Sequence, residues 1–211
     1  MASQRSAGAR AYPNSGAAPS GKVIVAHGMK RVAVFGNAGG GKSTLARRLA
    51  ELTGLPLHVV DMMQWSAGGV PIPHERFLRA HADILDRDEW IIDGYGTEAT
   101  AWERFAAADT LIHIDLPLIV HHWFVTKRLI KGLFADPLGW PEGSPLWSSS
   151  LESYRVLWPC HRYLTPKYRQ LVAEAVGTKQ IYRLRSPARI RSFLQNLDEQ
   201  QSDARQDMGR P

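Results

Sequence analysis

Residues 36–44 read Gly36-Asn37-Ala38-Gly39-Gly40-Gly41-Lys42-Ser43-Thr44 and fit the pattern G-x-x-x-x-G-K-[ST]. The flanks make this pattern a strong constraint on the fold. A run of β-type residues, Arg31-Val32-Ala33-Val34-Phe35, leads into Gly36, and Leu45, Leu49 and Leu52 recur at helical spacing beyond Thr44. Strand, glycine loop and helix are the three parts a phosphate cradle needs. Glycines let the backbone curl so that successive N–H groups face phosphate oxygens, and the next helix adds the positive end of its dipole. In such a loop Lys42 reaches the β- and γ-phosphates and Ser43 offers its hydroxyl to Mg²⁺. Thr44 donates toward the α-phosphate. The segment Gly36 to Thr44 is therefore the predicted nucleoside triphosphate site.

The remaining composition bounds the answer. A chain of 211 residues with 44% hydrophobic and 22% charged residues suits one domain with a substantial core. No stretch is apolar for long enough to cross a bilayer. The net charge of +6 favours anionic partners, either nucleotides or nucleic acid, although arginines scattered over a surface produce the same excess. Cys160 is the single cysteine, so no intrachain disulfide forms and a cytoplasmic location is expected. Residues 1–28 are rich in Ala, Ser, Gly and Pro without periodicity and read as a disordered extension. Residues 29–197 read as the folded domain, and the polar stretch 198–211 reads as a flexible tail.

Within that domain five short apolar runs, 31–36, 57–61, 90–93, 110–115 and 180–184, read as strands covered on both faces. Helical patterns alternate with them, over 42–53, about 75–87, 102–107 and 117–133. A further helical region between Leu151 and Val176 is expected to break at Pro159 and Pro166. The last helix opens at Ser186-Pro187, a capping residue followed by proline at the first helical position. Alternating strands and helices imply a parallel α/β sandwich. Residues 134–150 carry turn formers together with Trp140 and Trp147. The length of this segment suggests a working lid, over about 128–150.

Chemistry-bearing residues cluster at the strand ends. Asp93 closes the third strand and is a candidate Mg²⁺ partner, since ligands bind at the carboxyl edge of parallel strands. Asp61, at the end of the second, is a candidate to accept a hydroxyl proton from an acceptor or to touch the metal. Asp115 reads more simply as a turn residue. Lys127, Arg128 and Lys131 precede the expected lid, where a cation closes over a transferring phosphoryl group; basic residues also suit a helix C-terminus. Arg104 is a candidate for an acceptor's anionic group. Other signals fail. His121 and His122 are adjacent and cannot form a metal pair on one helix face. Asp93-Gly94-Tyr95-Gly96 fits D-x-x-G, but no N-K-x-D guanine motif follows.

With these residues in place, the chain resembles the adenylate-kinase-related topology modulation proteins. The resemblance covers roughly residues 30 to 195. It is carried by the 31–44 segment, Val59-Val60-Asp61-Met62-Met63-Gln64-Trp65, Trp90-Ile91-Ile92-Asp93-Gly94-Tyr95, the Glu103-to-Ile112 run, Asp115-Leu116-Pro117, Lys127-Arg128 and the 185–194 segment. It implies a three-layer P-loop NTPase of nucleoside-monophosphate-kinase type, with a five-stranded parallel sheet in order 2-3-1-4-5 and a lid. It implies ATP and Mg²⁺. It also implies Asp61 and Arg104 toward the acceptor, Asp93 at the metal, Arg128 at the lid and Arg185 near the adenine. Two departures, Leu118 after the Asp-x-Pro turn and the missing asparagine after Gly94, fall on the acceptor side. The expected activity is an ATP-dependent phosphotransferase acting on a small nucleotide or metabolite. The alternative is a nucleotide-dependent regulator or DNA-topology-related binder, although no nucleic-acid recognition motif is present.

Overall fold

The computed structural model describes residues 28–66, 70–132 and 146–208. The expected N-terminal extension up to residue 27 and the central part of the expected lid, 133–145, lie outside the described residues. Five strands form one parallel sheet: β1 (Arg31–Gly36), β2 (Leu57–Val59), β3 (Trp90–Asp93), β4 (Thr110–Ile114) and β5 (Gln180–Leu184). Their order is β2-β3-β1-β4-β5, as the resemblance implies. Among the described residues no helix is long and apolar enough to cross a membrane.

The central strands carry apolar side chains on both faces because both faces are covered. On one face Val32, Val34, Ile91, Ile112 and Ile114 pack against α1 (Lys42–Thr53) and α8 (Pro187–Met208). On the other, Ala33, Phe35, Ile92 and Leu111 pack against α3 (His74–Leu85), α4 (Glu98–Ala107) and α7 (Thr165–Glu174). The short α2 (Val60–Met63) follows β2, and α5 (Leu118–Gly132) follows β4. Helix α1 is closed by Gly54 in the left-handed conformation, φ +74°, whose N–H bonds to Ala50 O.

Three local features differ from the sequence-based expectation. β2 ends at Val59, so Asp61 lies on α2 and not on a strand. This edge strand pairs with β3 alone, and Asp61 turns to accept N–H groups from the loop after β3. Secondly, the prolines do not break the 146–174 region. α6 (Leu146–Pro159) runs into a π-helical turn, Cys160–Leu164, and then into α7. Pro159 has no N–H to donate, and the Thr165 N–H bonds to Cys160 O five residues back, which accommodates the extra residue. Pro166 follows directly in the first turn of α7, and the chain stays helical through it. Thirdly, α8 continues beyond Asp198 through Met208, with Leu197 and Gln201 buried.

One ionic cluster ties the far side of the sheet together. Asp115, just beyond β4, accepts 2.8–3.1 Å hydrogen bonds from Arg169 of α7 and 2.6–2.8 Å bonds from Arg183 of β5. Burial opposes ionisation of this carboxyl, but the two guanidinium groups prevail and hold its pKa below the ordinary value. Beside it, His113 stacks on Phe35 with centroids 5.0 Å apart. Burial lowers the His113 pKa to about 4; Asp115 works against that shift, and Arg183 and Arg169 reinforce it. A histidine depressed on folding binds its proton more readily in the unfolded chain, so stability falls as pH drops from about 6.5 toward 4. The predicted outcome is that His113→Leu flattens this acid loss by up to about 1.4 kcal/mol per pH unit. Urea unfolding at pH 7, 6 and 5 measures it, and parallel curves for the two proteins would refute it.

Candidate phosphotransfer site

The loop between β1 and α1 is shaped by exclusion of side-chain volume. Gly36 pairs with Ile114, and a Cβ there would lie 2.4 Å from the Ile114 carbonyl oxygen. Gly39, at φ +66°, would place a Cβ 2.4 Å from Val125 Cγ2 of α5. The loop is tied on both sides. Asn37 Nδ2 donates to Leu157 O of α6 at 3.0 Å, and the Asn37 Oδ1 accepts from Ala38 N at 2.7 Å. Lys42 Nζ folds back to Asn37 O at 3.0 Å. Gly41 is the left-handed N-cap of α1 and supplies no side-chain cap, so the helix end is open to an external anion. Ser43 and Thr44 are exposed at that end.

Asp93 lies beneath this helix end. Its residue is 1% exposed, and among the described residues Oδ1 has no hydrogen-bond partner. Burial raises its pKa and the Asp61 charge adds to that, while Lys42 and a hydrogen bond with Ser43 pull it down. A buried carboxylate with one unsatisfied oxygen, beside a serine and a lysine, has the chemistry of a cation anchor. Among the described residues no cluster of three His, Cys, Asp or Glu side chains forms a metal cage. A single buried carboxylate beside a serine is the kind of protein ligand that Mg²⁺ takes, since that ion keeps waters and binds one or two carboxylates together with phosphate oxygens.

Asp61 and Lys42 both lie close enough to Asp93 to act on its charge. Asp61 Oδ1 accepts from Tyr95 N at 2.8 Å and Gly96 N at 3.1 Å, leaving Oδ2 without a hydrogen bond among the described residues. Gly94, at φ +106°, is required there, because a Cβ would lie 2.9 Å from the Asp61 carboxylate. Next to Gly96 is a cavity of about 230 Å³ whose walls include Gln64, Trp65, Ile72, His74, Phe77 and Thr97. Arg104 is fully buried behind the same turn. Its Nη2 donates to Gly94 O at 2.8 Å, while Nε and Nη1 lack partners among the described residues. Burial lowers its pKa, against the attraction of Asp61, Tyr168 and Asp93.

The structure thus brings Lys42, Ser43, Asp93, Asp61 and Arg104 to one edge of the sheet. It places Arg128 differently, between α5 and α6, where its guanidinium donates to Ser153 Oγ. Lys127 is exposed, and the side chain of Lys131 is outside the described ones. Arg185 is exposed at the turn before α8. Two contacts to the loop were not anticipated: the Asn37 tie to α6, and His121 of α5, whose Nδ1 is 2.9 Å from Ala38 O. Both join residues more than 80 positions apart, so no local pattern announces them; the four-residue spacing of His121 and Val125 does place them on one helix face. The predicted outcome for Gly39→Ala is a loss of about 1–3 kcal/mol of stability from strain and overpacking. Chemical denaturation measures it, and an unchanged midpoint would contradict the packing of α5 on the loop.

No family model matches the chain, and no curated protein matches it. Solved structures do. Shikimate kinase from Acinetobacter baumannii, in complex with shikimate, aligns with a TM-score of 0.50 at 18% identity, over 81% of this chain and 91% of that one. A gluconokinase from Sinorhizobium meliloti 1021 aligns at 0.40 and 14% identity, over 85% and 95%. A sugar kinase from Janibacter sp. HTCC2649 aligns at 0.41 and 18%, over 82% and 91%. The fold of this chain is that of the small P-loop kinases, with the five-stranded sheet in order 2-3-1-4-5.

Proposed function

We propose that the chain is an ATP- and Mg²⁺-dependent phosphotransferase acting on the hydroxyl or phosphate of a small acceptor, related to the topology modulation proteins. The observation that carries this reading is Asp93, buried to 1% with an unsatisfied Oδ1 beside Ser43 and Lys42. Ser43 and Asp93 would hold the metal, and Lys42, whose Nζ now donates to Asn37 O, would turn to the phosphate oxygens. Bound Mg²⁺ would supply neutralisation of the charge on the β- and γ-phosphates. Asp61 is the candidate base. Two backbone N–H groups orient its carboxylate, and its Oδ2 remains available to accept an acceptor proton. Arg104 holds the Gly94 and Tyr95 carbonyls and so sets the loop that orients Asp61. The cavity beside Gly96 is the proposed acceptor site. Phosphoryl transfer needs mainly positioning and charge stabilisation, which these residues provide.

The test is ATP consumption against a panel of small acceptors. The predicted outcome is strong stimulation by one acceptor, abolished in Lys42→Ala and reduced about 10²–10⁴-fold in Asp61→Asn. Turnover that no acceptor stimulates, together with DNA binding that weakens steeply with salt, would contradict it and favour a nucleotide-dependent regulator.

A further inference from the structure

We propose that His121 is a positioning residue for nucleotide binding: it holds the Ala38 carbonyl against α5 and thereby aims the Gly39 N–H into the phosphate site. This inference rests on the nucleotide-binding reading of residues 36–44. His121 Nδ1 lies 2.9 Å from Ala38 O, and a carbonyl oxygen only accepts, so Nδ1 carries the proton. The ring is 1% exposed, so water does not compete for that bond. In a trans peptide unit the C=O and the following N–H point in opposite directions. Turning the Ala38 oxygen toward α5 therefore turns the Gly39 N–H away from α5. Among the described residues that N–H has no hydrogen-bond partner within the protein. An unsatisfied amide in a glycine loop, facing away from the helix packed on that loop, is what a phosphate oxygen needs.

The surrounding packing fixes the same geometry. A Cβ on Gly40 would lie 3.0 Å from His121 Cε1, and one on Gly39 would lie 3.2 Å from His121 O. α5 is thus a wall against which the loop is pressed, and His121 is the polar contact in that wall. The ring does this as a neutral group. Burial lowers its pKa to about 4, opposed by the Ala38 and Leu116 carbonyls and assisted by Lys42 and His161. A neutral donor orients the peptide without repelling Lys42.

The closing experiment compares His121→Leu, which lacks a donor, with His121→Asn, whose side-chain N–H is one bond from Cγ, as Nδ1 is in histidine. The probe is Mg²⁺·ADP, titrated calorimetrically into the full chain, with Lys42→Ala as the control. The expected result is that His121→Leu weakens binding about tenfold, the loss of one hydrogen-bonded constraint, whereas His121→Asn stays within about threefold of the native chain. The ¹⁵N-labelled Gly39 amide resonance gives a second readout that a purely structural role would not move. Its shift on adding Mg²⁺·ADP should persist in His121→Asn and shrink in His121→Leu. If His121→Leu does not fold, the Gly39 shift in His121→Asn decides the matter alone. Equal affinity in the native chain and His121→Leu, or a lost Gly39 response in a folded His121→Asn, would overturn the positioning role while leaving the nucleotide reading intact. A native chain that binds Mg²⁺·ADP no better than Lys42→Ala would overturn both.

Discussion

The burial of Asp93 is the constraint on which the site depends. A carboxylate removed from water costs several kcal/mol unless charge or hydrogen bonds compensate it. Here the compensation is incomplete, because Ser43 and Lys42 serve it while Oδ1 is left without a partner among the described residues. The sheet sets up this position. β3 lies between β2 and β1, so its last residue emerges under the loop that leaves β1. The parallel registers Val34↔Asp93 and Val59↔Asp93 hold the carboxyl at the common carboxyl edge. A strand order with β3 at the margin would expose the same residue to water and remove the cost of burying its charge.

The loop above Asp93 is held by its neighbours as much as by its own glycines. Ile114 of β4 closes on Gly36, Val125 of α5 closes on Gly39, and Leu157 of α6 receives the Asn37 amide. The phosphate loop therefore shares contacts with both helices that flank residues 133–145. On the opposite side of the site, one turn of backbone after β3 does three jobs. Its N–H groups orient Asp61, its carbonyls bind Arg104, and its left-handed glycine leaves room for the Asp61 carboxylate. Small displacements in this turn would thus reach the candidate base directly.

Much of this was legible in the sequence. The strand, loop and first helix follow from residues 31–53 because their period and composition change abruptly at Gly36 and Lys42. The sheet order came with the family resemblance and not from the strands themselves, since parallel pairing leaves no turn signature. The second strand ends two residues before Asp61, because this edge strand stops where its pairing with β3 stops, at Val59. Pro159 looked like a helix breaker, and a π-helical turn absorbs it instead. In the sequence His121 reads only as half of an unworkable metal pair with His122. The partner of His121 is a backbone carbonyl 83 residues earlier, and a carbonyl leaves no mark in a sequence.

The most direct measurement is the Mg²⁺ dependence of ATP binding in the native chain and in Asp93→Asn, by titration calorimetry with and without the metal. Asparagine keeps the volume of Asp93 and removes its charge. If Asp93 anchors the cation, Mg²⁺ tightens ATP binding to the native chain by about tenfold or more, roughly 1.4 kcal/mol. Asp93→Asn should then bind ATP in the absence of metal while losing that increment. An equal Mg²⁺ increment in the two proteins would contradict the account.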